Sequence, residues 1–224
     1  MGFQVEQRAS DSPYVETVMH GRTAGNGTTI RPAECHWHMV LVKHQGKTRM
    51  RVVGPWTTTD VLPFTEGVEL LWIKLKIGAF MPHLPTIKLL NTEIPLPDAT
   101  GHSFWLHGTT WQFPDFQNAD SFVSRLVREE VLAWDSVVDT VLRQQQPLLS
   151  PRTVRHRFLR ATGLSHNQIH QVTRAQRAEG LLRHGTSILD TVEAVGYSDQ
   201  SHLTRSLKHW IGYTPAQILR LNAA

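Results

Sequence analysis

The pattern of apolar and polar residues changes about halfway along the chain. Residues 1–115 are rich in β-forming residues in short runs that Gly and Pro interrupt, which is typical of short strands. From residue 118 onward the apolar residues recur every three or four positions, which indicates amphipathic helices. The sequence therefore predicts an α+β chain, with a small antiparallel β domain followed by an all-α domain.

Strand patterns in the first half are short and separated by turns. The predicted strands are Met39–Lys43, Arg49–Val53, Val68–Ile77 and Phe104–Leu106. A turn at Thr23–Gly27 lies between two further extended stretches, and four prolines make residues 80–100 irregular or short-helical. This spacing favours an antiparallel sheet or small barrel over βαβ units.

Capping residues mark the helices of the second half. Asp120 and Asp135 are predicted to begin the first two helices, and the second ends near Gln145 because Pro147 cannot lie within it. A third helix begins at Ser150 as N-cap, with proline at its first position, and stops before Gly163.

The later helices carry similar boundary signals. A helix is predicted over residues 166–183, and Ser187 with Asp190 forms a capping-box pattern that opens the next one. Ser198 or Asp199 caps the last helix of this group. We divide the chain into a β-rich sensor or dimerisation domain at 1–116, a helical connector at 117–135 and a helical domain at 136–224.

Two helix pairs in the second half have the form of a helix-turn-helix. The helix at 150–161 buries one apolar stripe and carries Arg152, Arg155 and His156 on its polar face. The stretch 196–215 contains a second such helix, with an apolar stripe behind and polar residues in front. Those polar residues are Gln200, Ser201, Thr204, Arg205 and Lys208. Gln and Arg are the side chains that pair with purine edges in a DNA major groove.

Charge is distributed unevenly along the chain. The net charge is +4, but residues 1–135 hold 12 Lys/Arg and 14 Asp/Glu, whereas residues 136–224 hold 11 and five. A solvated helix face can also be rich in arginine, but few acids are near enough to neutralise these. The basic half is therefore the predicted partner of a polyanion.

The cysteine content and the first residues bear on the cellular compartment of the protein. Cys35 is the single cysteine, so no disulfide can form within the chain, and the first residues lack the apolar run of a signal peptide. No segment approaches the apolar length of a membrane span. We expect a cytoplasmic protein without a membrane partner.

Two helix-turn-helix units in series indicate a DNA-binding protein more specifically than either unit alone. A connecting helix of 18 residues spans roughly 25 Å, so it can hold the two units near one DNA turn apart, about 34 Å. One chain can then read two successive major grooves.

These features resemble the AraC/XylS family of bacterial transcription regulators over about residues 136–221. The residues that carry the resemblance are LSPRTVRHRF, ATGLS, the run Arg177–Leu182, SILDTVEAVGYSDQSHLTRSLK and GYTP. The resemblance implies two helix-turn-helix units joined by a rigid helix, acting on double-stranded DNA. It leaves open a small-molecule effector, a homodimer and a contact with RNA polymerase.

The resemblance also assigns roles within the two recognition helices. The residues expected to face bases are Arg152, Arg155, His156, Gln200, Ser201, Thr204 and Arg205. Arg160, Lys208 and the helix N-terminus at Ser150 are expected to meet phosphate.

The first half resembles, more loosely, the half-cupin sensor domains of some members of this family, through VVGPWTT and ELLWIKLKIGAF. This implies effector binding or self-association and names no ligand.

Two candidate sites lie in the first half. On a strand, His36 and His38 would project from one face, as in a cupin metal site, although no Glu follows within reach. Trp105, Trp111 and Phe113 could line an aromatic effector pocket, or they could form core beneath the helical junction. Apart from a divalent metal at the histidine pair, we expect no cofactor.

Three classes of function follow. We expect a sequence-specific DNA-binding regulator rather than an enzyme. The alternatives are a metal-dependent cupin-type enzyme with a helical appendage and a non-specific basic architectural DNA-binding protein.

Overall fold

The structure, a computed structural model, describes residues 3–222 and divides into two compact units. The first unit contains the residues up to 28, together with 36–55 and 63–165. The second contains 29–35, 56–62 and the residues from 166 onward. Two short segments of the first half of the chain therefore belong to the same unit as the last helices.

A six-stranded antiparallel sheet forms the centre of the first unit. In spatial order its strands are β1 (Phe3–Ala9), β2 (Val15–Thr23), β7 (Glu69–Leu75), β4 (His38–His44), β5 (Lys47–Val53) and β9 (Glu93–Pro95). The predicted antiparallel sheet is confirmed.

Shorter elements complete the described chain. The paired strands are β3 (Gly27–Arg31) with β6 (Asp60–Phe64), β8 (Ala79–Phe80) with β12 (Ala133–Trp134), and β10 (Ser103–Leu106) with β11 (Thr109–Gln112). A single 3-10 turn covers Thr86–Leu89.

The helices fall into two groups. The first unit contains α1 (Ala119–Arg128), α2 (Ser136–Leu142) and α3 (Pro151–Thr162). The second contains α4 (His166–Arg183), α5 (Ile188–Val195), α6 (Gln200–Trp210) and α7 (Pro215–Asn222). Within residues 3–222, no helix combines the length and the apolar character needed to cross a membrane.

The core of the first unit lies between the sheet, the β10–β11 hairpin and α1. Phe104 and Trp111 are completely buried in it, and Phe122 of α1 meets both rings edge-on. Burial of these three aromatic side chains fixes the hairpin and α1 on the same core.

Two helix boundaries differ from the sequence prediction. The first helix begins after Asn118, and Asp120 lies inside it. The Asp120 carboxylate is instead 2.6 Å from Arg8 Nη1 and accepts a hydrogen bond from Ser10. The second helix ends at Leu142, three residues before the predicted end.

The helix α3 packs against the first half of the chain within the first unit. The Thr86 hydroxyl donates to the carbonyl of Ala161 over 3.1 Å, and a side chain at Gly163 would approach the Thr86 carbonyl equally closely. The predicted division of the chain into domains at 1–116, 117–135 and 136–224 is a statement about which parts fold separately. It stays a prediction.

The second unit joins its helices to two segments of the first half. Its core contains residues of α4 to α7, among them Leu203, Leu207 and Ile218. The segment 29–35 docks on these helices: the Ala33 N–H donates to the Trp210 carbonyl over 2.7 Å, and the Gln176 side chain donates to the Ala33 carbonyl over 3.2 Å.

Gly212 lies in close contact with the docked segment. Its φ is +91°, and an added Cβ would lie 2.7 Å from Cγ2 of Ile30. We expect Gly212→Ala to lower the free energy of unfolding by about 2 kcal/mol, because left-handed strain and overpacking add together. Urea denaturation measures this cost.

A matched control separates the two causes. Gly185 has a φ of +85° but open space around its Cα, so Gly185→Ala should show the conformational strain alone, about 1 kcal/mol. In an Ile30→Ala background, the cost of Gly212→Ala should fall to the same value. Equal costs for both glycines in the wild-type background would contradict the docking of segment 29–35.

Candidate nucleic-acid interface

The helix α3 begins and ends as its sequence predicts. The Ser150 hydroxyl accepts a hydrogen bond from the backbone N–H of Thr153 over 3.2 Å, and Pro151 occupies the first turn. Gly163 ends the helix with a φ of +70°. Both signals act through neighbouring residues, which is why the sequence alone located them.

One side of α3 is buried and the other is exposed. Phe158 and Ala161 contribute to the interior of the first unit, whereas Arg152, Arg155 and His156 are exposed to solvent. Among the described residues, neither Arg152 nor Arg155 forms an ion pair. The three predicted base-reading side chains of this helix therefore share an open surface.

A buried carboxylate ties the start of α2 to the middle of α3. Asp135 is 1% exposed; it accepts a hydrogen bond from the Val137 N–H at the start of α2. Both of its oxygens also accept from Arg157, at 3.0 Å from Nε and 2.7 Å from Nη2. These hydrogen bonds raise the pKa of Arg157 above its ordinary value, so its charge is held against α2.

Arg160, a predicted phosphate contact, is partly engaged in the same place. Its guanidinium lies 3.9 Å from Asp135 and 5.0 Å from the centre of the Phe80 ring. The side chain is still 55% exposed. It can meet a phosphate only with the part that these two contacts leave open.

The second helix-turn-helix consists of α5, a turn at 196–199 and α6. The Ser187 hydroxyl accepts from the Asp190 N–H over 3.1 Å, and Gly196 ends α5 with a φ of +71°. Asp199 caps α6, since its carboxylate accepts from the His202 N–H over 2.7 Å. That hydrogen bond, with a second from the Ser198 hydroxyl, holds the pKa of Asp199 below its ordinary value.

The faces of α6 match the sequence prediction. Leu203, Leu207 and Ile211, at the end of the helix, are buried. The exposed residues include Gln200, Ser201, Arg205 and Lys208. Thr204 is half-buried, and its hydroxyl donates to the Gln200 carbonyl over 2.8 Å, so toward a ligand it is placed mainly as an acceptor.

Tertiary contacts that the sequence did not reveal hold the turn before α6. The hydroxyls of Tyr197 and Ser206 lie 2.9 Å apart in the interior, and the Arg174 guanidinium stacks 4.2 Å from the Tyr197 ring centre. These contacts fix the start of α6 against α4. The only sequence signal of these contacts is a tyrosine, Tyr197, directly after Gly196 in the turn.

A reciprocal cap before α7 was also missed. The Thr214 N–H donates to the Gln217 side chain over 2.8 Å, and the Gln217 N–H donates back to the Thr214 hydroxyl over 3.3 Å. The Thr-x-x-Gln spacing at 214–217 is the sequence signal of this capping box.

The distance between the two recognition helices stays a prediction. Each lies in its own compact unit: α3 in the first and α6 in the second. The predicted spacing of about one DNA turn therefore has to be measured on DNA.

The histidine pair does not have the placement that a strand would give it. The strand β4 begins at His38, and His36 lies in a bend before it, so alternation along a strand does not set their relative direction. Within residues 3–222, no three His, Cys, Asp or Glu side chains are grouped so that they could hold a metal ion. The metal site at His36 and His38 stays a prediction.

The register of the β10–β11 hairpin places the residues of the predicted aromatic pocket on different sides. Trp111 lies opposite Phe104 in the core, and its indole N–H donates to the Leu106 carbonyl over 3.1 Å. Trp105 faces the other side of the hairpin and is 46% exposed. Phe113 lines a cavity at the edge of the six-stranded sheet.

Comparison with known proteins concerns mainly the second half of the chain. A family profile described as "Helix-turn-helix domain" matches residues 148–221. The HTH-type transcriptional regulator VirS, from two strains of Mycobacterium tuberculosis, is 41% identical over 70 residues. That match covers 31% of this chain and 20% of VirS, so the chain spans about a fifth of the length of these curated relatives.

A solved structure of ToxT from Vibrio cholerae aligns over 99% of both chains, with 8% identity and a TM-score of 0.43. A likeness at that level carries no inference about this chain.

Residues 148–221 are a helix-turn-helix domain of the AraC type. The resemblance predicted from the sequence is confirmed for this region. The matched range contains all of α3, α4, α5 and α6, and with them every residue predicted to face bases.

Proposed function

We propose that this protein is a sequence-specific DNA-binding regulator of transcription that uses α3 and α6 as recognition helices. The observation that carries the proposal is the match of residues 148–221 to a helix-turn-helix domain. The exposed basic and amide side chains on both helices support it.

Each helix offers donors suited to base edges. On α3, Arg152 and Arg155 are exposed and have no ion-pair partner among the described residues, so they can bind O6 and N7 of guanine through two hydrogen bonds. On α6, Gln200 suits adenine and Arg205 suits guanine. His156, Ser201 and Thr204 are the remaining proposed base contacts.

Phosphate contacts would position the helices without reading sequence. The N-terminus of α3 at Ser150 presents backbone N–H groups and the positive end of the helix dipole. Lys208 is exposed near the end of α6 and carries a compact charge that suits a phosphate oxygen. Arg160 can add a third contact through its exposed part.

Among the alternatives, a non-specific architectural protein would bind through scattered basic residues. Here the exposed arginines lie on the polar faces of capped helices, which favours reading of sequence. The cupin-type enzyme depended on the histidine pair, and that pair does not lie side by side on a strand.

Regulation and assembly belong to the proposal as well. The β-rich first unit is a candidate to bind a small-molecule effector or to mediate self-association. A homodimer and a contact with RNA polymerase stay predictions, as does the cytoplasmic location expected from the cysteine content and the first residues.

Selection of bound sites from a random double-stranded DNA pool tests the proposal with the full chain. We expect enrichment of a two-part motif whose halves are about one helical turn apart. An Arg152→Ala/Arg155→Ala variant should lose one half of the motif, and a Gln200→Ala/Arg205→Ala variant should lose the other. Arg22→Gln, an exposed arginine on β2, is the matched control and should leave the motif unchanged.

Binding without enrichment of any motif would favour the architectural alternative. Loss of the same half of the motif in both variants would contradict the assignment of α3 and α6 to separate half-sites.

A further inference from the structure

A cavity of about 410 Å³ opens at one edge of the six-stranded sheet in the first unit. The short strand β9 pairs only with residues 51–53 of β5, so the first residues of β5 extend past its end. The chain after β9 and the residue that follows β11 close the other sides of the cavity. Its volume is within the range typical of small-ligand sites.

The walls of the cavity are mainly apolar. Met50 is buried at its base, and Leu96 and Phe113 are half-buried on its sides. Phe113 is held in place because its ring stacks on buried Phe104, with the ring centres 5.6 Å apart. A bound molecule would therefore meet an ordered apolar surface over most of its body.

Arg51 places a guanidinium in the lining of this cavity. Its Nη1 is 2.8 Å from the Glu93 carboxylate, which fixes the guanidinium in position. Its Nε–H is buried and has no hydrogen-bond partner among the described residues. The side chain as a whole is 38% exposed, so the part of the guanidinium that Glu93 leaves open can donate to an oxygen acceptor in the cavity.

The charges around the cavity limit the ligand to one negative charge. Glu93 is already paired with Arg51, and Asp98 accepts a hydrogen bond from the Gly101 N–H over 2.9 Å. Arg49 adds a second, exposed guanidinium at the rim. With two arginines and two carboxylates in the lining, a phosphate or dicarboxylate would meet too little positive charge, whereas one carboxylate matches the exposed part of the Arg51 guanidinium.

We propose that this cavity binds a small organic monocarboxylate, with its carboxylate on Arg51 and its apolar body against Met50, Leu96 and Phe113. Its role as an effector site rests on the proposed function. Binding of the carboxylate itself does not depend on DNA.

Calorimetric titration of the full chain with matched probe pairs tests the site. The probes are 4-phenylbutanoate and octanoate, each compared with its primary amide, which keeps the shape and removes the charge. We expect at least one carboxylate to bind about tenfold or more tightly than its amide. Arg51→Gln should abolish that preference, and the control Arg22→Gln should keep it.

Because Arg51 also pairs with Glu93, a second variant guards against loss of folding in Arg51→Gln. Glu93→Gln removes the partner and leaves the guanidinium, so preference for the carboxylate should persist or increase. The inference is overturned if neither carboxylate binds at millimolar concentration, if acid and amide bind equally, or if the preference survives Arg51→Gln or disappears in Glu93→Gln.

Site selection on DNA without any probe separates this inference from the proposed function. A protein that selects a DNA motif but shows no carboxylate preference overturns the ligand site alone. A protein that binds the carboxylate but selects no motif supports the ligand site and overturns its role as an effector site.

Discussion

Replacing Arg205 by alanine is expected to weaken binding to the selected DNA site by about 1–3 kcal/mol and to relax the preference at one base pair. Arg205 is exposed on the polar face of α6, one turn after Gln200 and Ser201, and the buried Leu203 and Leu207 hold that face outward. Loss of a bidentate contact leaves a guanine edge without its donors, so the cost falls on one base. Equilibrium binding to the selected site and to its single-base variants measures both effects.

Lys208→Ala is the matched control, because it removes a positive charge from the same helix. It should weaken binding to all sequences similarly and reduce the slope of log affinity against log salt concentration by about one unit. If Arg205→Ala weakened every single-base variant by the same factor as the selected site, Arg205 would contact phosphate and its assignment as a base-reading residue would be wrong.

Replacing Asp135 by alanine is expected to lower the free energy of unfolding by about 3 kcal/mol, because Arg157 loses its buried partner. Asp135 also caps α2, so the N–H of Val137 loses its acceptor. The carboxylate is 1% exposed, but Arg157 is 36% exposed. Because solvent screens the exposed guanidinium, we expect a loss of stability at the lower end of the range for buried ion pairs. Urea denaturation followed by circular dichroism measures the change.

The exposed pair Asp139–Arg143 on α2 is the matched control for that measurement. Asp139 is 45% exposed and pairs with Arg143 at i,i+4 over 2.9 Å. Asp139→Ala should cost about 0.5 kcal/mol or less. If Asp135→Ala cost no more than this, the carboxylate would not join α2 to α3. Should the cost be large, DNA binding through α3 is expected to decline with it.

Local signals explain why the helices of the second half could be read from the sequence. Ser150 and Asp199 cap α3 and α6 through hydrogen bonds to residues three positions away, and Gly163 and Gly196 end their helices in the left-handed conformation. These interactions act between near neighbours in the chain, so the residue types at fixed spacing are sufficient. The same holds for the division of each helix into apolar and polar faces.

The sequence could not decide between several roles that suit the same residue. Asp120 has the chemistry of a cap, but the nearby Arg8 and Ser10 use its carboxylate inside α1. Trp111 suited a ligand pocket as well as a core, and its cross-strand position opposite Phe104 decided for the core. The partners of Asp120 are distant in sequence, and the partner of Trp111 depends on the register of a hairpin.

For α3 and α6, the helical structure, the caps and the exposed faces thus follow from the amino-acid sequence, because hydrogen bonds and periodicity within a few residues specify them. Only the tertiary structure placed segment 29–35 beside α6, joined Asp135 to Arg157, and set Arg51 at the edge of an apolar cavity. Such contacts depend on which surfaces meet when elements pack. The Gln176–Ala33 hydrogen bond joins residues 143 positions apart, and no residue pattern near Gln176 or near Ala33 predicts it.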